Sequence, residues 1–154
     1  MKDILKFFMP EQQLNRLAED LKRDTDGTVI KKVGTLKDRI LNMPGPYETD
    51  GKGDHEVVLH YFINGSHWFI IERDSTEEQF QAFGYACLHG NYQFAELGYI
   101  SIRELIRHNV ELDLHWEPQK LSVVKGYMEK MYSDHKRIDK KLYPFIAEMM
   151  HNIH

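Results

Sequence analysis

The sequence predicts an α+β fold in which an antiparallel meander of four or five strands has N- and C-terminal helices packed on it. The first supporting observation is Asn64-Gly65, which lies between two apolar runs and supplies the positive φ angles of a tight hairpin turn. The second is His89-Gly90-Asn91, a turn signal between two further apolar runs. The third is the helical spacing of apolar residues towards both ends of the chain. The predicted strands cover residues 56–63, 67–73, 82–88 and 94–100.

Residues 1–43 are predicted to form a helical N-terminal extension. Pro10 suits the first turn of a helix, where its missing N–H is not needed, and apolar residues recur at helical spacing over residues 11–23. A short strand is predicted at residues 28–33. Residues 35–38 resemble a helix cap, which leads into a short helical segment ending near Met43.

Residues 44–54 contain three glycines and two prolines, which predicts a mobile surface loop rather than packed structure. A domain linker is the alternative interpretation of this stretch. We favour one α+β domain over residues 1–154, because the segment before the loop is too small to hold its own core.

The sheet region is predicted to be covered on both faces, because its first two strands are almost continuously apolar. Ser101 is the predicted cap of a helix over residues 101–108. Residues 110–116 alternate strictly between apolar and polar, which is typical of a half-buried strand. Glu111, Asp113 and His115 would share its polar face.

The C-terminal extension, residues 121–154, is predicted to contain a helix at 121–134 and a further helix at 138–153. The second helix carries an apolar stripe, which packs either on the protein's own sheet or on a second copy. A homodimer through residues 138–153 is therefore one predicted interaction. The stripe consists of Ile138, Leu142, Phe145, Ile146, Met149 and Ile153.

Charge and cysteine content limit the classes of function. The net charge of −4 gives no general attraction to nucleic acid or anionic membranes, so a nucleic-acid or membrane partner is not expected. The single cysteine, Cys87, excludes an intrachain disulfide and suits a cytoplasmic protein. It is interpreted as a buried, inert thiol. The first residues do not resemble a signal peptide, and no apolar stretch approaches the length of a membrane span.

The motifs that carry strong chemical signals are absent from the sequence. It contains no Walker loop, no dinucleotide-binding glycine motif, no nucleophile elbow and no Cys-x-x-Cys or His-Glu-x-x-His. The nine histidines leave weaker candidates. Glu96, Asp113 and His115 are the candidate ligands of a divalent metal, and the same region is a candidate acid–base pair. The alternative interpretation is a polar network on the solvated face of the sheet. The other acidic or histidine side chains considered with this set are His60, Glu72 and His89.

Residues 56–124 resemble an uncharacterised bacterial family of small proteins. The resemblance lies in His60-Tyr61-Phe62, in the stretches 68–72 and 83–86, in Glu96-Leu97-Gly98-Tyr99-Ile100-Ser101-Ile102-Arg103-Glu104-Leu105, and in 113–116. Members of this family are carried on plasmids, phages and conjugative elements, some of them near antirestriction genes. Trp116 stands where the family more often has Phe. The resemblance implies a mobile-element context but no activity, so no catalytic residue follows from it.

Two hypotheses about function follow. The first is a non-enzymatic interaction protein of a phage or mobile element that counters a host defence system, with a host protein or a second copy as partner. The second is a small metal-dependent enzyme or metal-binding protein that uses Asp113, His115 and Glu96. No cofactor other than that divalent metal is expected.

Overall fold

The computed structural model describes residues 2–74 and 80–142, with side chains over residues 4–74 and 80–132. The helices are α1 (Lys2–Leu5), α2 (Glu11–Lys22), α3 (Thr28–Leu41), α4 (Ile102–Arg107) and α5 (Leu121–Leu142), with a 3₁₀ turn at Tyr92–Phe94. The strands are β1 (Glu56–Val57), β2 (Leu59–Ile63), β3 (Ser66–Asp74), β4 (Gln81–Cys87), β5 (Glu96–Ser101), β6 (Glu111–Leu112) and β7 (Gln119–Lys120).

Five strands form one antiparallel sheet in the order β5-β4-β3-β2-β6, which confirms the predicted fold class. β1 and β7 form a separate antiparallel pair. Asn64 and Gly65 have φ angles of 48° and 83°, as the hairpin turn between β2 and β3 requires. His89 and Gly90 also have positive φ angles, and they end β4 where the sequence predicts a turn.

Helices cover both faces of the sheet, as the apolar strands predict. On one face, side chains of α1 to α4 and of the strands form the larger core, which includes Tyr61 and Ile70. On the other face, Leu121, Val124 and Met128 of α5 pack over Phe69. These two cores place residues 60, 67 and 69 on the α5 side, because side chains alternate along each strand.

The prediction of a strand at residues 28–33 is wrong, because these residues begin helix α3. The predicted cap at residues 35–38 lies inside the same helix, where Thr35 Oγ1 donates to the Lys31 carbonyl. Asp24 and Asp26 cap the start of α3 by accepting hydrogen bonds from backbone N–H groups of its first turn. Val33, Leu36 and Ile40 are buried at helical spacing, so tertiary packing overrides the local preference for a strand.

The strand predicted at residues 110–116 is shorter than its alternating pattern indicates. Only Glu111 and Leu112 pair with β2. The chain then turns, because the Asp113 side chain accepts a hydrogen bond from the His115 backbone N–H at 2.9 Å, and Trp116 N–H donates to the Asp113 carbonyl.

Residues 44–54 contain no helix or strand, as predicted, but the loop is bound to the sheet. The carboxylate of Glu72, which is 4% exposed, accepts hydrogen bonds from the backbone N–H groups of Tyr47 and Thr49 and from the Thr49 hydroxyl. Arg73 N–H donates to the Pro44 carbonyl. The loop therefore has a defined place against β3.

Helix α5 continues to Leu142, beyond the predicted end at residue 134. The side chains of the predicted apolar stripe at 138–153 lie outside the described residues. Within residues 2–74 and 80–142, none of the helices combines the length and apolarity needed to cross a membrane.

Candidate functional site

A chain of hydrogen bonds joins Asp113, His60 and His67 on the α5 side of the sheet. Asp113 Oδ2 lies 2.8 Å from His60 Nδ1, and His60 Nε2 lies 2.8 Å from His67 Nδ1. Aromatic rings enclose His60. Phe69 stacks on it with 4.8 Å between ring centroids, and Trp116 lies 5.0 Å away. We call Asp113, His60 and His67 the histidine chain.

Local structure places each member of the histidine chain. The tight turn at Asn64-Gly65 pairs Phe62 with His67, which brings His60 and His67 to the same face as diagonal neighbours. Asp113 follows β6, and its backbone N–H donates to the His60 carbonyl at 2.8 Å. Because the chain turns at this residue, the carboxylate is held facing the His60 ring.

The hydrogen-bond partners determine which nitrogen atoms of the histidine chain carry a proton. A carboxylate only accepts hydrogen bonds, so His60 Nδ1–H donates to Asp113. When the His60 ring is neutral, its Nε2 accepts and His67 Nδ1–H donates. His67 Nε2 then carries no proton, and it is bonded to no residue in the described part of the protein.

This arrangement can accept a proton at His67 Nε2 and transfer the resulting positive charge to His60. As that nitrogen takes up a proton, the Nδ1 proton of His67 can move to His60 Nε2. The positive charge then rests on His60, beside the Asp113 carboxylate. The histidine chain therefore has the geometry of a general base whose accepting atom is His67 Nε2.

Burial sets the electrostatics of this group. It lowers the pKa of His67 to about 4, with the adjacent His60 ring adding to the effect and Asp113 opposing it. Burial also acts to raise the pKa of Asp113. The hydrogen bonds from His60 and from the His115 backbone outweigh that effect and leave the Asp113 pKa below its ordinary value. At neutral pH the carboxylate is ionised and His67 is uncharged.

We expect the free energy of unfolding to fall as the pH is lowered from 6.5 to about 4, and the substitution His67→Gln to remove part of that fall. In this range the unfolded chain protonates His67 but the folded chain does not, so acid favours the unfolded state. The shift corresponds to about 3 kcal/mol at full burial. Partial exposure of His67 reduces the expected effect to about 1–2 kcal/mol.

Urea denaturation at several pH values, together with an NMR titration of the histidine rings, checks this expectation. His108→Gln is the control, because His108 is an exposed histidine that pairs with the exposed Glu104 on the same helix. Equal pH dependence in the parent protein and in His67→Gln would contradict the assignment.

The structure separates the three candidate metal ligands of the sequence. Asp113 belongs to the histidine chain, and His115 turns away from it, with its Nδ1 2.8 Å from Lys32 Nζ. Glu96 lies exposed on β5, at the opposite edge of the sheet from Asp113. Over residues 4–74 and 80–132, whose side chains the structure describes, no group of three or more His, Cys, Asp or Glu side chains is placed to hold a metal ion.

Three other candidates from the sequence, Glu72, His89 and Cys87, lie outside the histidine chain. Glu72 binds the loop 44–54, and the backbone N–H of His89 donates to Ser66 Oγ in the turn after β4. Cys87 is fully buried, and burial raises the pKa of its thiol, which agrees with the predicted inert role.

Two of the residues that contact the sequence-predicted candidates, His67 and Lys32, were not predicted from the sequence. A signal for His67 was present, since a two-residue turn at Asn64-Gly65 fixes the register that brings it near His60. Lys32 contacts His115 across 83 positions of sequence, and no local pattern indicates that contact.

A second candidate site lies at the free edge of the sheet. Within the part of the chain that the structure describes, β5 pairs with β4 alone. Four large side chains on or beside this strand are 39–79% exposed. The Tyr99 hydroxyl donates to the Tyr47 hydroxyl at 3.2 Å, which joins loop 44–54 to the strand. We call the four residues the β5-edge patch: Tyr47, Phe94, Leu97 and Tyr99.

Comparison with known proteins found no match among protein-family models, curated proteins or solved structures. The resemblance to a mobile-element family therefore stays a prediction.

Proposed function

We propose that the protein is a non-enzymatic interaction protein that binds another protein through the β5-edge patch. The observation that carries this proposal is strand β5, which among the described strands pairs with β4 alone and has large exposed aromatic side chains beside it. An edge strand offers unpaired backbone N–H and C=O groups, which an extended segment of a partner can pair with. Exposed aromatic residues are the usual energetic centres of such interfaces.

Charge beside the patch favours one kind of partner segment. Glu96 lies on β5 itself. The pKa of the Tyr99 hydroxyl is raised mainly by its hydrogen bond with Tyr47, and the negative charge of the nearby Asp50 adds to this effect. A segment that carries a basic side chain would pair with these carboxylates, while an acidic segment would be repelled. We therefore propose an extended, basic segment of another protein as the bound element.

We further propose a phage or mobile-element context, in which the protein binds a cytoplasmic host protein and counters a host defence system. The support is the resemblance of residues 56–124 to proteins carried on such elements, and the single Cys87 suits a reducing compartment. The net charge of −4 is the reason that we propose neither nucleic acid nor a membrane as partner.

A second copy of the chain is the other partner that we propose, through residues 138–153. Three exposed residues of α5, Val123, Tyr127 and Met131, recur at a spacing of four and so share one face of the helix. This exposed face of α5 supports self-association through the C-terminal extension.

Affinity capture from host lysate tests the β5-edge patch. We expect Phe94→Ser/Tyr99→Ser to reduce recovery of the bound protein by about tenfold or more, since loss of one central aromatic anchor costs about 2 kcal/mol or more. Ile30→Ser is the matched control, because Ile30 is 64% exposed on α3, away from the patch. Equal recovery with all three proteins, or no specific recovery with the parent, would contradict the proposal.

A general base is the second candidate function, and the histidine chain is the observation that favours it. The positions of the side chains favour this role over the metal-dependent one. Glu96 lies at the opposite edge of the sheet from Asp113, whereas His60 and His67 contact each other. This candidate requires a neutral His67 whose Nε2 is free at pH 7. An NMR titration showing Nε2 of His67 protonated at neutral pH would remove it.

A further inference from the structure

A groove of about 340 Å³ lies between helix α3 and residues 114–117. Its volume falls within the range of about 300–1,000 Å³ that small-molecule sites occupy. Its walls carry three cationic side chains, Lys31, Lys32 and Arg39, and one carboxylate, Glu117. The groove therefore has a local excess of positive charge, although the net charge of the whole chain is −4.

The contact between Lys32 of α3 and His115 of the facing segment gives the groove several hydrogen-bond donors. The Lys32 ammonium has only protons to donate, so at a separation of 2.8 Å His115 Nδ1 is the acceptor. A neutral His115 ring therefore carries its proton on Nε2. That N–H and the remaining ammonium protons of Lys32 are left for a ligand, with Lys31 one residue away on the same helix.

The segment 114–117, which faces α3 across the groove, is held in place. Arg39 Nη1 donates to the Trp116 carbonyl at 2.6 Å, and Arg39 Nη2 lies 3.5 Å from Glu117. Trp116 Nε1–H donates to the Val57 carbonyl at 3.1 Å, which fixes the indole. The Asp113 carboxylate accepts a hydrogen bond from the His115 backbone N–H and so helps to position that residue in the lining of the groove. The donors are thus arranged before any ligand binds.

We propose that this groove binds a small molecule that carries phosphate groups, with Lys31, Lys32 and His115 donating to the phosphate oxygens. Ammonium and imidazole N–H groups form charge-assisted hydrogen bonds with phosphate, which are stronger than neutral ones. The Arg39 guanidinium, already engaged with the wall, supplies charge rather than direct contacts. This site goes beyond the proposed protein interaction, because it lies on α3 and not on β5.

Calorimetric titration of the intact protein with pyrophosphate tests the proposal. We expect saturable binding that Lys32→Gln weakens by about tenfold or more, as loss of a hydrogen bond to a charged group predicts. Lys31→Gln provides a second variant if Lys32→Gln fails to fold. Lys37→Gln removes the same charge from the same helix outside the groove, and it should leave the affinity unchanged.

Three results would overturn the proposal. They are no binding of pyrophosphate at millimolar concentration, equal weakening by Lys37→Gln, and sulfate competing as well as pyrophosphate, which would indicate unspecific attraction of anions.

Inorganic phosphate and an organic phosphate are titrated in parallel. Tighter binding of the organic compound would show that the groove also recognises the group attached to the phosphate, and equal binding would show recognition of phosphate alone. These titrations do not depend on the proposed protein interaction, so a failure to capture a protein through the β5-edge patch would not change their outcome.

Discussion

Gly84→Ala is expected to lower the free energy of unfolding by about 3 kcal/mol or more, a large part of the roughly 5–15 kcal/mol that stabilises an ordinary domain. A Cβ atom at this position would overlap the carbonyl oxygen of Phe69 and lie 3.1 Å from the Ile70 Cα. Both are backbone atoms of β3, so no side-chain movement relieves the clash. The close approach occurs where the register between β3 and β4 shifts, between Ile70 and Glu72.

Gly98→Ala is the control for that substitution. Gly98 pairs directly with Gly84 across β4 and β5, but a Cβ atom there meets nothing within 4 Å. The same chemical change should therefore alter stability by about 0.5 kcal/mol or less. Urea or thermal denaturation of the three proteins measures the difference. A Gly84→Ala protein as stable as Gly98→Ala would contradict the described packing of β3 on β4.

Gln13→Ala has the second largest expected effect, a loss of about 2–4 kcal/mol. Gln13 is 6% exposed, and its side chain forms the pair of backbone hydrogen bonds that a neighbouring strand would otherwise make with β6. Its Nε2 donates to the Leu112 carbonyl at 2.7 Å, and its Oε1 accepts from the Leu112 N–H at 3.0 Å. Truncation leaves both backbone groups without partners in a buried place.

Gln12→Ala on the same helix is the control, because Gln12 accepts a hydrogen bond from Asn109 at the exposed surface. We expect it to change stability by about 0.5 kcal/mol or less. Since Leu112 directly precedes Asp113, Gln13→Ala should also disturb the contact between Asp113 and His60. Equal denaturation midpoints for the two glutamine variants would show that the contact with Leu112 contributes little.

Features that depend on neighbouring residues were predictable from the sequence. Asn64-Gly65 forms the hairpin turn because few other pairs adopt two consecutive positive φ angles. Ser101 caps α4 as predicted, with its hydroxyl accepting from the Glu104 N–H. These features rest on the conformational preferences of a few adjacent residues, so no tertiary information is needed to find them.

Features that depend on distant parts of the chain were mispredicted or missed. Helix α3 was mispredicted because residues 28–33 pack with residues far along the chain, and that packing decides their conformation. Asp113 was a candidate for a metal site, yet its partner is His60, 53 positions earlier. Strand spacing placed Asp113 and His115 on one face, but the turn at Asp113 sends the two side chains to different partners.

Photo-crosslinking from position 99 in host cells is the most direct test of the central claim, that the protein acts by binding another protein at β5. A photoreactive amino acid in place of Tyr99 should give a discrete adduct with another protein, because this side chain is 67% exposed on β5, whose outer edge is unpaired within residues 2–74 and 80–142. The same amino acid in place of Ile30, which is 64% exposed on α3, should give none. Adducts at position 30 and not at position 99 would contradict the claim.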